Sequence, residues 1–381
     1  LLLAAALALA GCTSTGSLSG SRPFPATAPP APPKPQEIPV QPAPAPETPV
    51  AVPVPPPAYE PSNDRIALVL PLQSPVYGRA AEAVRAGFLA GADAAGAGAR
   101  VQVIGYGDDA VLSAIATATE ARVALVVGPL TRDDLKTVLA LAPQRPRMLA
   151  LNQLEDGAPL PPDAYALALA VEGDAAVLAR RAYDDGVRSI AVVASDAPLQ
   201  RRFASAFIAA WQRAGGSTPR QYRFDSNPDV LALMRHELAA RPTDAILLAV
   251  GSDQAALAKS FLPPGPVYAS SQITDGLPPQ MLFDLDGVRY VEIPWLADPS
   301  NPAFARLPRQ EGGDAVLDRL YALGLDAFLI SELLANPVPP QRVEFDGATG
   351  HLSLLPSHSF SREGRVMIVH DGQPMLYQPP Q

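Results

Sequence analysis

Four histidines, one cysteine and two close pairs of aspartates are the residues here whose chemistry is easiest to use, and their spacing supports little of it. A serine hydrolase needs a nucleophile beside a base, yet no Gly-x-Ser-x-Gly turn occurs. Three of the histidines, His351, His358 and His370, lie in the C-terminal tail, away from the loops that end the strands; His236 is the fourth. Asp108 with Asp109, and Asp284 with Asp286, are paired carboxylates in turn contexts. No histidine lies nearby in the chain to complete a metal site, so they read as solvated loop residues. Gly105-Tyr106-Gly107 is followed by two aspartates instead of the glycine that opens a phosphate-binding helix, which makes it a strand end and turn. The lone Cys12 excludes an intrachain disulfide and a cysteine-based metal centre. The expectation is therefore no catalytic residue, no metal and no cofactor.

What remains is a set of short polar side chains at strand ends: Ser74, Tyr77, Thr131, Asn152, Asp196, Ser252 and Gln272. Thr131 with Asp134 reads as a capping box, and Asp196 and Ser252 as natural helix N-caps. Capping is the favoured role, and each cap leaves helix amides facing a cleft where a carboxylate or phosphate can bind.

The elements that position these residues are legible from Asp64 onward. Arg65 to Leu70 is a continuous apolar strand, and Tyr77, Ala81, Val84, Phe88 and Ala92 recur at helical spacing after it. The alternation continues with strand Val101–Tyr106, helix Val111–Glu120, strand Ala124–Val127, helix Arg132–Leu141 and strand Arg147–Leu151. A second set starts after Gly186. It comprises strand Ile190–Ala194, a helix carrying Phe203, Phe207, Ala210 and Trp211, a strand at Tyr222 and helix Val230–Ala240. Strand Ala245–Val250, helix Asp253–Lys259 and strand Pro266–Ala269 complete it. A late helical segment from Val316 to Leu334 precedes short strands with turns at Asp346-Gly347 and Asp371-Gly372. The fold class that follows is α/β, with two doubly wound parallel-sheet lobes and a C-terminal β-hairpin region. The lobes are expected at about 64–165 plus 313–336, and 166–312 plus 337–381.

Ahead of this domain the chain reads differently. Leu1 to Ala10 is an unbroken apolar run, shorter than a membrane span, ending in Leu9-Ala10-Gly11-Cys12 and followed by Thr13-Ser14-Thr15-Gly16-Ser17. The tetrapeptide resembles the lipobox of bacterial lipoproteins, which implies a signal peptide over 1–11 with its positive segment missing, lipidation at Cys12 and a membrane anchor. Thr13 in place of an aspartate implies sorting to the outer membrane, facing the periplasm. Between Ser21 and Pro61 lie 17 of the 45 prolines, so 12–63 reads as a lipidated terminus and a disordered stalk. In extended polyproline form, at ~3.1 Å per residue, the stalk reaches roughly 120 Å. The net charge of -9 and the lack of a basic cluster disfavour a nucleic-acid partner.

Particular strings carry a family resemblance. Ile66-Ala67-Leu68-Val69-Leu70-Pro71-Leu72, Gly78, Ala83 to Phe88, Gly128-Pro129-Leu130 and Leu149-Ala150-Leu151-Asn152 resemble the first lobe of the LppC-type penicillin-binding-protein activators, the LpoA family. Ala322 to Phe328 resembles that family's late helix, and Phe345 to Leu354 its Gly-Ala-Thr-Gly hairpin. The resemblance implies a type I periplasmic-binding-protein fold and a non-catalytic lipoprotein that binds and activates a class A penicillin-binding protein in peptidoglycan synthesis. Larger members carry a helical-repeat domain where this chain has the proline stalk. The fold alone also allows a solute-binding lipoprotein for an amino acid or small peptide, and whether the cleft takes a small molecule stays open. A cell-wall hydrolase, the third class, has no motif behind it.

Overall fold

The computed structural model describes residues 59–154, 158–310 and 312–379. Cys12, the apolar run 1–11 and all but the last residues of the stalk lie outside them.

The first lobe is a five-stranded parallel sheet. In chain order it comprises β1 (Ile66–Leu70), α1 (Gly78–Ala94), β2 (Val101–Gly105), α2 (Val111–Glu120), β3 (Leu125–Val127), α3 (Arg132–Leu141), β4 (Arg147–Ala150) and β5 (Ala164–Ala166). The strand order is β2-β1-β3-β4-β5. Every residue of β1 is buried because helices cover both faces. Ile66, Leu68 and Leu70 meet Val84 and Phe88 of α1, whereas Ala67 and Val69 face Ile115, Leu135 and Val138 of α2 and α3.

The second lobe runs through α4 (Val171–Asp184), β6 (Ile190–Ala194), α5 (Pro198–Arg213), β7 (Arg220–Arg223), α6 (Pro228–Ala240), β8 (Ala245–Ala249), α7 (Ser252–Ser260), β9 (Val267–Ala269) and β10 (Val288–Glu292). Phe203, Phe207 and Trp211 of α5 fill one face, and Leu231, Met234 and Leu238 of α6 the other. The chain then passes through α8 (Pro294–Ala297) to α9 (Ala315–Leu334), which packs on α1 in the first lobe. After β11 (Glu344–Asp346), β12 (His351–Leu354) and β13 (Phe360–Glu363), it ends in β14 (Arg365–His370) and β15 (Gln373–Leu376). The last two strands extend the second sheet antiparallel, in the order β15-β14-β10-β9-β8-β6-β7.

Two expectations are corrected. The tail divides: β11, β12 and β13 form their own antiparallel sheet whose Val343, Leu352 and Phe360 enter the first lobe's core, so the boundary expected after 336 falls near Gly364. Those side chains follow the apolar surface that α9 and β5 expose beside them. The domain begins before Asp64: the Tyr59 hydroxyl donates to Val123 O at 2.8 Å and Ser62 N to Arg122 O at 3.1 Å. Carbonyls left over at the end of α2 thus fix the entering chain. Finally, β5, α4 and β10 are elements that sequence periodicity did not reveal.

Candidate functional site

In the first lobe, the loops after β1, β3 and β4 converge at the carboxyl ends of the strands. Ser74 is buried, and its Oγ accepts from Val76 N at 3.3 Å and Tyr77 N at 3.2 Å. That turn sets Tyr77, 48% exposed, on the rim as α1 begins. Thr131 Oγ1 accepts from Asp134 N at 3.2 Å and donates to Asp134 Oδ2 at 2.6 Å. The expected cap is present, but Asp134 does not return to the backbone of Thr131; it also takes the Tyr106 hydroxyl at 2.8 Å. Burial, with the Asp134 carboxylate next in weight, keeps the Tyr106 phenol protonated well above its ordinary range. Asn152 ties two loops together, donating through Nδ2 to Leu130 O at 3.0 Å and accepting Gln153 N at 2.9 Å.

Tyr77, Thr131 and Asn152 line an outer cleft of about 520 Å³, closed by Leu320 of α9 and Arg202 of the second lobe. Two expected caps are not caps. The cap position of α5 is Ala197, with Pro198 opening the helix one residue beyond the reach of Asp196, which pairs with Arg223 at 2.5 Å instead. Gly251 caps α7 without a side-chain bond, and Ser252 is already the first helical residue. Neither Asp196 nor Ser252 lines the outer cleft. Gln272 lies deeper, half-buried, where its Oε1 accepts from Gln200 Nε2 at 3.2 Å.

That deeper space, about 180 Å³, is lined by Gln272 with Asp174, Glu292, Arg319 and Arg362. Arg319 reaches from α9 across to the second lobe: Nε and Nη2 donate to Glu292 at 3.0 and 2.6 Å, and Nη1 donates to both oxygens of Asp275 at 3.0 Å. Arg362 of β13 donates through Nη2 to Asp174 of α4 at 2.6 Å and through Nη1 to Thr349 O at 3.0 Å. Burial raises the carboxyls of Asp174 and Asp275 above their ordinary range, against the arginines that hold them down. No sequence signal announced this network, because its partners come from distant elements and salt bridges leave no local period.

One acidic pair gains a neighbour that sequence order hid. At the β14 end, His370 Nδ1 lies 3.8 Å from Asp286 Oδ1, with Asp371 alongside. All three are exposed, and Asp286 already accepts Asp371 N at 2.9 Å, a surface turn contact.

With this geometry in view, the profile of the family described as "LppC putative lipoprotein" matches residues 59–366. The chain belongs to the LppC family. It is 30% identical over 314 residues to penicillin-binding protein activator LpoA of Mannheimia succiniciproducens, covering 79% of this chain and 53% of that protein. It is 30% identical over 266 residues to LpoA of Haemophilus influenzae, covering 66% and 45%. The chain thus spans about half the length of the curated relatives it matches. Among solved structures, the C-domain of Haemophilus influenzae LpoA, "a regulator of PBP1A", superposes with a TM-score of 0.71 at 26% identity, covering 82% of this chain and 100% of that one. A Chromobacterium violaceum protein described as "a putative branched-chain amino acid ABC transporter" gives 0.70 at 35% identity, covering 80% and 99%. The resemblance read from the sequence and the two-lobed fold are both borne out.

Two of the LppC-like strings prove to hold the domain together. Asp326 of α9 is fully buried and accepts Ala348 N and Thr349 N, each at 2.7 Å, and Thr349 Oγ1 at 2.5 Å. Burial pushes its carboxyl up to about 6, opposed by those bonds. A Cβ on Gly347 would stand 2.6 Å from Asp326 Oδ1, so only glycine lets the turn close on the carboxylate. Thr349 is fully buried, so the turn is internal. No described helix of this LppC chain is long and apolar enough to cross a membrane.

Proposed function

We propose that this LppC chain is an outer-membrane lipoprotein, lipidated at Cys12, which binds a class A penicillin-binding protein and stimulates its peptidoglycan synthesis without catalysing a reaction itself. The family match across 59–366, with relatives named as penicillin-binding protein activators, carries the reading. The strand-end loops support it: the oxygens of Thr131 and Asn152 in the cleft, and of Ser74 buried behind it, are engaged in holding loops, not presented in a nucleophile–base pair. Val76, 74% exposed, and Tyr77 stand on the rim as apolar anchors suited to a protein partner. An activator acts by binding the active form of the synthase better than the inactive one, and tenfold stimulation needs about 1.4 kcal/mol of such preference.

The test is crosslinked peptidoglycan formed by the purified synthase with and without this protein. Stimulation should appear with the parent and weaken with Tyr77→Ala. Absence of both binding and stimulation rejects the reading. The likeness to the Chromobacterium violaceum protein favours a second one, a solute-binding lipoprotein. Cys12→Ser should release the protein from the membrane fraction; unchanged fractionation rejects the anchor.

A further inference from the structure

The described chain passes between the lobes after β5, after β10 and at Gly364, and each passage is gripped where it crosses. Asp174 lies in the first turn of α4, just past the first crossing, and Glu292 is the last residue of β10, just before the second. Arg362 stands two residues ahead of Gly364. A Cβ on Gly364 would lie 2.6 Å from Val291 Cγ1 and 2.8 Å from Glu292 O, so the second and third crossings run pressed together.

Beyond Glu292 the chain is fastened at once to the first lobe. Ile293 and Trp295 pack with Tyr321, Ala322 and Leu325 of α9 and with Ala348 in a separate apolar cluster. Trp295 N donates to Ala348 O at 3.0 Å, and the Arg309 guanidinium lies 3.6 Å from the centre of the Trp295 ring. Any swing of the second lobe must therefore pivot close to Glu292.

Arg319 blocks that pivot. Its side chain is 12% exposed, and one guanidinium holds two separate parts of the second lobe. Nε and Nη2 take the pivot carboxylate of Glu292, and Nη1 takes Asp275, which follows the turn Ser271–Thr274 past the end of β9. Rotation about Glu292 carries Asp275 away while Glu292 stays, so the planar fork satisfies both carboxylates at one interlobe angle only. Arg362 pins the opposite side, joining Asp174 of the second lobe to Thr349 O of the first, with its own side chain 5% exposed. Buried ion pairs gain little stability over apolar contacts, and their best-attested use is to set register. Here the register is the angle between the lobes.

We propose that Arg319 and Arg362 clamp the lobes at a single angle in the free protein, so that the domain is one rigid body whose cleft does not open and close. The clamp does not depend on what binds the rim. A partner that meets both lobes finds its surface already formed and spends no free energy on ordering it.

The test is the distance between spin labels, measured by pulsed electron resonance, on the full chain carrying Cys12→Ser so that only introduced cysteines react. Asp133→Cys and Asp253→Cys place one label at the strand-end mouth of each lobe, where both residues are exposed. With the clamp intact, one narrow distance is expected. A rotation of about 15° acting over the roughly 20 Å from pivot to label moves it by about 5 Å. Arg319→Met should therefore broaden or shift the distribution by about 5 Å. Because that change strands two carboxylates, the triple variant Arg319→Met, Glu292→Gln, Asp275→Asn, which leaves no unpaired charge, should do the same while circular dichroism shows it folded. A lost ion pair that merely stabilises the fold lowers the melting temperature and leaves the distance unchanged. Two distances or a broad distribution with the clamp intact overturns the proposal. So does a folded triple variant that keeps the single distance.

Discussion

Replacing Gly324 with alanine tests whether the late-helix string is there for helix packing. Gly324 lies where α9 crosses α1, and an added Cβ would stand 2.2 Å from Val84 O and 2.7 Å from Phe88 N. Both are backbone atoms, which cannot swing aside, so the helices must part by roughly 1 Å and loosen the edge-on contact of Phe88 with Phe328. Overpacking of this kind costs about 1–3 kcal/mol, and two backbone neighbours put it at the upper end. Alanine's better helix propensity returns about 1 kcal/mol. The net loss is about 2 kcal/mol, which for a domain of this size lowers the melting temperature by roughly 3 °C. Gly91→Ala is the control, since its Cβ would meet only the Phe328 side chain, at 3.1 Å, and a ring can yield. Circular dichroism melts of the two variants and the parent decide the matter. A Gly324→Ala protein within about 1 °C of the parent, or a Gly91→Ala protein falling as far, refutes the argument.

Further outcomes follow from the buried charges and from the entry of the chain. The Asp326 carboxyl, 3.8 ordinarily and about 6 when folded, binds its proton more tightly in the native state. The stability it lends, of order 3 kcal/mol, is therefore full below about pH 4 and lost as pH rises through 6. Asp174 and Asp275, raised by burial, and His351, raised by Asp346 and Glu344, act in the same sense. The urea midpoint should fall between about pH 4 and pH 6.5, and Asp326→Asn should flatten that slope; a midpoint that rises with pH across this window disproves the assignment. Arg319→Met strands Glu292 and Asp275 and should cost about 3–5 kcal/mol in urea unfolding, whereas a loss under about 1 kcal/mol would show the bridge to be idle. A chain starting at Tyr59 should melt with the parent, but one starting at Asp64, without the Tyr59 and Ser62 bonds, should lose about 1–2 kcal/mol. Equal melting of the two would show that those bonds contribute nothing.

The sequence by itself determined the parts of the fold whose signal is local. Helices Val111–Glu120 and Arg132–Leu141 and strand Ile190–Ala194 fall at the bounds their apolar spacing gives, because each buries a face at fixed intervals. The Thr131 cap is equally local, joining residues three apart. Elements with weak periodicity escaped: β5 has three residues, and α4 carries Gly173 in its first turn and a buried face composed largely of alanines. Asp196 and Ser252 misled because cap identity depends on where the backbone turns, a matter of one residue. Only the tertiary structure decided the rest. It divided the tail between the two lobes, set His370 beside Asp286, and closed the Gly347 turn on Asp326. It also drew Arg319, Glu292, Asp275, Asp174 and Arg362 from separate elements into one buried network. Such contacts are fixed by how whole sheets and helices meet, and charge pairs joined across 27 to 188 residues leave no period in the chain for a reader to detect.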